Sequence, residues 1–260
     1  MKYGFCNLAA IPVRSDANNT SEQITQLLFG ETFQINDEKN GKCLIRSFED
    51  DYCGWISDKQ FLSVSAEDLS SFKREKSLLT KHLLSFIEQT DTRNGQKTLI
   101  PLSFGTKIID ETFSVGHFTF HIDGGDIVQA QDIAFAADIS QKMLNVPYLW
   151  GGRNTFGIDC SGFSQLCYRF AGIGLPRDAH QQANQGLAVR NLSDAVRGDL
   201  CFFSHIASGA ITHVGIYLGK GKIIHSSVKV RIDFITEEGI IACDTGNLTH
   251  FLSSVRTFQR

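Results

Sequence analysis

The sequence predicts an α+β fold for residues 131–260, preceded by one or two small all-β barrels in residues 1–65 and 66–130. Three observations carry this prediction. Short β-type runs follow one another closely from residue 1 to about 65, with Asn40-Gly41 as a hairpin turn signal between two of them. From about residue 131 the apolar spacing becomes helical. Strand-like runs then follow the helices, and helices succeeded by an antiparallel sheet make an α+β pattern.

Taken in order, Glu31-Thr-Phe-Gln-Ile and Cys43-Leu-Ile-Arg-Ser-Phe have β composition and partial alternation, and Asp51-Tyr-Cys-Gly-Trp-Ile adds another short strand. Such spacing predicts a small barrel. Ser77-Leu-Leu-Thr-Lys-His-Leu-Leu-Ser-Phe-Ile fits either a helix or a buried strand pair. Leu99-Ile-Pro-Leu, Lys107-Ile-Ile-Asp and His117-Phe-Thr-Phe-His-Ile read as strands, punctuated by Gly105 and Asp123-Gly-Gly. A second, divergent barrel is the expectation for 66–130. A short echo of Phe29-Gly-Glu-Thr-Phe-Gln-Ile in Phe104-Gly-Thr-Lys-Ile-Ile supports it.

Asp132 to Leu144 carries a helical stripe through Ile133, Ala136, Ala137 and Ile139. Asp159 can cap a helix that starts at Cys160. The face of that helix is Phe163, Leu166, Cys167, Phe170 and Ala171, and Gly172 stops it. Strands follow at Asp199-Leu-Cys-Phe-Phe, His213-Val-Gly-Ile-Tyr-Leu and Lys222-Ile-Ile-His-Ser.

Composition narrows the function. The length of 260 residues predicts two or three domains, and 42% hydrophobic with 20% charged residues is ordinary for a soluble globular protein. A net charge of -3 without a Lys/Arg run gives no surface for nucleic acid, and no apolar run approaches the ~18 residues of a membrane span. The first ten residues are too weakly apolar for a secretory signal, so a cytoplasmic location is expected; a leader trimmed from the chain stays open. Seven cysteines, an odd number with no Cys-x-x-Cys pair, argue against a zinc site and for a reducing compartment. Cys167 and Cys201 read as inert core. Neither a metal nor an organic cofactor is expected, and the chain is expected to be a monomer.

The chemistry points to Cys160. A helix start is a place where a thiolate can be stabilised, and a cysteine with positioned histidines is the minimum equipment for acyl transfer through a thioester. His213, Gly215 and Tyr217 share one face of their strand. A two-residue loop after it would put His225 on the wrong face. A three-residue loop over Gly219–Gly221 pairs Leu218 with Lys222 and sets His225 opposite Gly215, diagonal to His213. The three-residue register is therefore expected. Cys160 is then the nucleophile, His213 its base, and His225 the group that fixes the His213 tautomer, although a histidine there lacks the fixed charge of a carboxylate. The Cys160 amide can face an oxyanion, with Tyr148 as a phenolic donor and Ser161 beside it. His82, His117, His121, His180, His205 and His250 read as surface or loop.

Four blocks, Pro147-Tyr-Leu-Trp-Gly-Gly…Phe-Gly-Ile-Asp-Cys-Ser-Gly-Phe, Gly174-Leu-Pro-Arg-Asp, Arg197-Gly-Asp-Leu-Cys-Phe-Phe and Thr212-His-Val-Gly-Ile-Tyr-Leu-Gly…Ile-Ile-His-Ser, closely resemble the NlpC-type cell-wall cysteine peptidases. The resemblance implies a papain-like catalytic domain with Cys160, His213 and His225 as its triad. Ser21-Glu22-Gln-Ile-Thr-Gln-Leu-Leu-Phe-Gly-Glu with Asp51-Tyr52-Cys-Gly-Trp-Ile resembles the bacterial SH3-like domain of the dipeptidyl-peptidase VI branch. Those enzymes cut the γ-D-glutamyl-L-diamino acid bond, to L-Lys or meso-diaminopimelate, in murein peptides with a free N-terminal L-Ala, releasing L-Ala-γ-D-Glu. The branch implies that Glu22, Tyr52 and Asp178 hold the substrate ammonium at a closed cleft end. Ala179 stands where relatives often carry a hydroxyl residue, and 66–130 matches nothing specific. The implied role is cell-wall peptide recycling on small murein peptides. An exported hydrolase of intact wall, a non-catalytic wall-fragment binding protein and an acyltransferase are the alternatives.

Overall fold

The computed structural model describes residues 1–72, 78–207 and 209–259. The chain forms two compact units. One is Met1–Ala130 with Trp150–Thr155, and the other is Gln131–Leu149 with Phe156–Arg260.

The first unit is all-β apart from short helical turns. Its larger sheet has seven strands, in the order Gln23–Leu28, Ala10–Arg14, Cys53–Ser57, Lys42–Ser47, Thr32–Lys39, Lys2–Phe5 and Leu62–Val64. The expected turn at Asn40-Gly41 is present: Lys39 pairs with Lys42, and both turn residues have positive φ, 52° and 72°. That is the backbone a two-residue hairpin of matching twist requires. Alternation then buries Cys43, Ile45 and Ser47 from one strand.

Residues 66–130 open with a helix, Ala66–Ser71, that the sequence reading did not contain. A capping box starts it: the Asp68 amide donates to Ser65 Oγ (3.1 Å) and the Ser65 amide donates to Asp68 Oδ2 (2.8 Å). The segment left open between helix and strand pair resolves into strands Leu78–Thr80 and Leu84–Asp91; Ser77 itself lies outside the described residues. Period-two burial of Ser85 and Ile87, with Leu84 and Phe86 outward, is a strand pattern. Phe5 and Phe29 join Phe113 and Phe120 in one aromatic core, with Phe29 edge-on to Phe120 at 5.3 Å and Phe113 stacked on Phe120 at 5.2 Å.

The sequence echo has a structural counterpart. Leu28-Phe29-Gly30-Glu31 and Ser103-Phe104-Gly105-Thr106 make the same turn. In each, the fourth amide donates to the first carbonyl (3.1 and 3.2 Å), the glycine has positive φ (82° and 72°) and the phenylalanine is fully buried. A positive φ at the third position makes glycine the fitting residue in both.

In the second unit, α1 (Ile133–Ile139) is capped by Asp132, whose Oδ1 accepts from the Phe135 amide at 2.8 Å. The α-helix ends five residues before Leu144, because the chain tightens into a 3₁₀ turn over Ser140–Met143. Six of the strands that follow build a barrel: β1 (Leu200–Ser204), β2 (His213–Gly219), β3 (Lys222–Ser227), β4 (Lys229–Ile235), β5 (Gly239–Ile241) and β6 (Leu248–Thr257). A seventh, Leu187–Val189, pairs with β6. The expected antiparallel sheet is closed. Its order is β6-β1-β2-β3-β4-β5, and β5 pairs back onto β6, giving a six-stranded barrel. Register shifts at Phe202/Phe203 and Ile240/Ile241 mark bulges, the devices that let the ten-residue β6 bend to serve both neighbours.

The β2–β3 hairpin corrects one expectation and keeps its consequence. The loop has two residues, not three: Gly219 pairs with Lys222 around Lys220 (φ 54°) and Gly221 (φ 68°). A bulge at Leu218, between Tyr217 and Gly219, then shifts the pairing by one residue. His225 therefore still stands opposite Gly215 and on the His213 face.

Candidate active site

Cys160, the candidate nucleophile, stands at the first position of α2 (Cys160–Arg169), a helix whose ten residues are all buried. Asp159 caps it, with Oδ1 accepting from the Gly162 amide at 2.7 Å. The same carboxylate is gripped by Arg177, Nη1 to Oδ1 at 3.1 Å and Nη2 to Oδ2 at 2.5 Å. Arg177 Nη1 also donates to Ser161 Oγ (2.8 Å), and Gln182 Nε2 donates to the Ser161 carbonyl (3.1 Å). The helix start is thus fixed by a buried, paired charge rather than by the cap alone.

The Cys160 sulfur is 3.9 Å from the Thr212 carbonyl and receives the amides of Val214 and Ser161. It therefore meets the backbone on both sides of His213, at Thr212 just before β2 and at Val214 within it. Burial, then the charge of Asp159, push the thiol up to about 12 against those amides and Arg177. His213 is pushed the other way. Burial first, then the neighbouring His225, His250 and His205, hold it well below 6.5. Both effects favour a resting pair of neutral thiol and neutral imidazole.

His213 Nε2 lies 2.8 Å from His225 Nδ1, with the rings edge-to-face at 5.0 Å. Beyond it, His225 Nε2 lies 2.9 Å from Asp233 Oδ2 on β4. Asp233 Oδ1 accepts from the Cys243 amide (2.9 Å) and Arg231 Nη2 (2.8 Å), and Arg231 Nη2 also reaches Asp244 Oδ1 (2.9 Å). Burial would raise the Asp233 carboxyl, but the His225, Cys243 and Arg231 hydrogen bonds outweigh it and hold the group well below the usual carboxylate range. His250, read from the sequence as surface or loop, is buried on β6 and stacks on His213 at 4.3 Å. Burial, then His225 and His205, bring it down to about 4, so it stays neutral. Among the described residues no three His, Cys, Asp or Glu side chains are disposed to hold a metal ion.

The expected site residues fall as follows. Cys160, His213 and His225 come together as set out above. Tyr148 is half-buried, and its phenol is pushed up to about 12 by burial and by the nearby Cys160 and Asp159, so it keeps its proton as a donor. The Ser161 hydroxyl is occupied within the protein, accepting from Arg177 and donating to Asp159 Oδ1 (3.3 Å); only its amide faces the sulfur. Asp178 caps the short helix Ala179–Gln182. Glu22 and Tyr52 belong to the first unit, where Glu22 Oε1 accepts from Trp150 Nε1 at 2.5 Å and the Tyr52 amide donates to Asp50 Oδ1 at 3.3 Å. Asp233, Arg177 and His250 were missed. A turn signal at Val228 would have exposed Asp233 by register, but none exists: Val228 is a β-branched residue at φ 63°.

Residues 145–246 match the NlpC/P60 family model, and residues 13–61 match the model of the bacterial dipeptidyl-peptidase Sh3 domain. Over 221 residues the chain is 33% identical to a Bacillus subtilis (strain 168) protein named gamma-D-glutamyl-L-lysine dipeptidyl-peptidase, covering 78% of this chain and 71% of that one. The chain belongs to the NlpC/P60 family. A Bacillus cereus relative of the same name is 29% identical over 236 residues, 80% of this chain and 68% of its own. The crystal structure of an NlpC/P60 family protein from Bacillus cereus ATCC 10987 matches the fold with a TM-score of 0.79, over 99% of this chain and 100% of that one at 20% identity. The protein is accordingly a cysteine peptidase with an SH3-like domain ahead of its NlpC/P60 domain.

Two expected results follow for this NlpC/P60 site. A Cβ on Gly215 would stand 2.7 Å from Ile223 Cδ1 and 2.9 Å from His225 Cβ. Gly215→Ala should displace His225, lowering kcat roughly tenfold and stability by about 1–3 kcal/mol. Steady-state kinetics and denaturant melts read the two effects. The second concerns pH. Because His213 and His250 are depressed in the folded state, the unfolded chain takes up protons first on acidification. Their stabilisation is full above 6.5 and is lost as the pH falls through that value towards about 4. Asp233, also depressed, adds a loss of the same sign below 3.8. Tm should therefore drop between pH 7 and pH 4.5 in thermal melts; a rise would contradict the buried neutral histidines.

Proposed function

We propose that this peptidase hydrolyses the γ-D-glutamyl-L-diamino acid bond of murein peptides that carry a free N-terminal L-Ala, releasing L-Ala-γ-D-Glu for cell-wall peptide recycling. The observation that carries the chemistry is the thiol at the helix start, meeting the backbone of Thr212 and Val214 on either side of a buried His213 that is hydrogen-bonded to His225. The bond is suggested by the relatives named gamma-D-glutamyl-L-lysine dipeptidyl-peptidase.

In this reading His213 takes the thiol proton as the sulfur attacks the γ-carbonyl carbon of D-Glu. The oxyanion meets the Cys160 amide, which lies in the first helical turn and has no intrahelical acceptor, with the Tyr148 phenol as second donor. His213 returns the proton to the departing amine of the diamino acid. Water, deprotonated by the same imidazole, then opens the thioester. Glu22, Tyr52 and Asp178 are the residues proposed to receive the substrate ammonium. A cytoplasmic location belongs to the proposal, and seven free thiols suit a reducing compartment.

The test is to incubate L-Ala-γ-D-Glu-L-Lys, its meso-diaminopimelate analogue, the N-acetylated tripeptide and purified sacculi with the protein and to follow release by mass spectrometry. Only free-amine peptides should be cut well. Efficient cleavage of the acetylated peptide would remove the ammonium site and leave the thiol chemistry standing.

A further inference from the structure

We propose that Asp233 is a positioning residue of this site, which sets the direction of the hydrogen-bond chain and makes it Asp233–His225–His213–Cys160. The proposal rests on the cysteine-peptidase chemistry above.

The argument is one of proton counting. Asp233 as a carboxylate can only accept. Its Oδ1 is taken by the Cys243 amide and Arg231, so Oδ2, 2.9 Å from His225 Nε2, needs a donor there. A neutral imidazole carries one proton. With that proton on Nε2, His225 Nδ1 is bare and must accept. The group 2.8 Å away, His213 Nε2, must then donate. Neutral His213 is left with a bare Nδ1, the nitrogen able to take the thiol proton. Without the carboxylate the chain works equally well in reverse, and the reversed chain leaves His213 with Nδ1–H, unable to act as base. Two coupled imidazoles alone do not choose. The acceptor-only group at the end does.

Charge gives a second role. His213 becomes imidazolium when the thiol reacts, and a histidine partner carries no fixed charge to stabilise it. Asp233, 3% exposed behind a His225 that is 1% exposed, supplies that charge one ring further back, where screening by water is small. The groups facing this chain leave its direction intact. His250 on β6 stacks on His213 and stays neutral, His205 lies next to His250 at 5.4 Å, and Arg231 is held between Asp233 and Asp244.

Two experiments decide. In the unaltered protein at pH 7, ¹⁵N NMR of the imidazoles should show His225 and His213 each neutral and protonated on Nε2. Protonation of either on Nδ1, or a doubly protonated His225, overturns the proposal. In Asp233→Asn the side chain can donate as well as accept, so the wrong tautomer becomes populated. On the tripeptide, kcat should fall about 10²-fold, less than the roughly 10⁴-fold seen when a carboxylate touching the catalytic histidine is made neutral, with KM within about threefold. The acid limb of kcat/KM should move to lower pH, because the imidazolium has lost its counter-charge. A residue that only held the barrel together would lower the active fraction without moving that limb. A kcat and acid limb unchanged within about twofold overturn the proposal. Alkylation of Cys160 by iodoacetamide, read at the peptide level, gives the same comparison without substrate, so failure of the murein-peptide reading stays distinguishable. If Asp233→Asn does not fold, the NMR result on the unaltered protein decides alone.

Discussion

Cys160→Ala should abolish hydrolysis of L-Ala-γ-D-Glu-L-Lys, with kcat falling about 10⁴- to 10⁶-fold, while the tripeptide still binds. The size follows from what is lost. In the proposed mechanism the sulfur is the atom that forms the covalent intermediate, and without it His213 could only activate water against an unactivated amide. Cys167 on the same helix and Cys201 on β1 cannot substitute, because both are fully buried and burial pushes their thiols far up. The oxyanion donors survive the change, since the Cys160 amide is backbone and Tyr148 is untouched. Residual turnover above the uncatalysed rate is therefore expected and is not evidence of a second nucleophile. The check pairs mass spectrometry of released dipeptide with calorimetric titration of the tripeptide. Turnover within tenfold of the unaltered protein would place the nucleophile elsewhere.

The parts of this site that were legible in the sequence are the locally determined ones. Asp159 as cap, the stripe Phe163, Leu166, Cys167 and Phe170, and the parity of His213 with His225 all depend on residues a few positions apart. Even there the reason was partly wrong. Parity comes from the bulge at Leu218 and not from loop length, and a bulge leaves no mark in alternation. What escaped is set by distant pairing. His250 is turned inward because β5 closes onto β6, Ile240 opposite His250. Asp233 is buried while Phe234 beside it is half exposed, although the alternation of Val230, Ile232 and Phe234 would place Phe234 with the buried Val230. Arg177 lies 18 residues from Asp159, and an arginine after Leu-Pro ordinarily reads as surface. The segment Trp150–Thr155 reads as part of the nucleophile loop, yet it groups with the first unit, where Arg153 is buried against Glu31.

Arg177→Gln should be the most destabilising single change beneath the nucleophile. The guanidinium and the Asp159 carboxylate are 2% and 7% exposed, so removing the arginine takes away the buried positive charge that offsets the carboxylate. Such losses cost about 3–5 kcal/mol, which for a chain of this size lowers Tm by on the order of 10 °C. Activity should fall as well. The Asp159 charge raises the Cys160 thiol while Arg177, with the Val214 and Ser161 amides, lowers it, so loss of the arginine raises the thiol further and slows Cys160 alkylation at neutral pH. The double variant Asp159→Asn/Arg177→Gln separates the two causes. Asparagine still offers an oxygen to the Gly162 amide, so the cap survives while both charges vanish. Most of the lost stability should return, and the coupling in the double-mutant cycle should reach roughly 3 kcal/mol. If the two substitutions instead add, the ion pair is not what fixes the helix start, and the cap and the Ser161 hydrogen bonds must hold Cys160 in place without it.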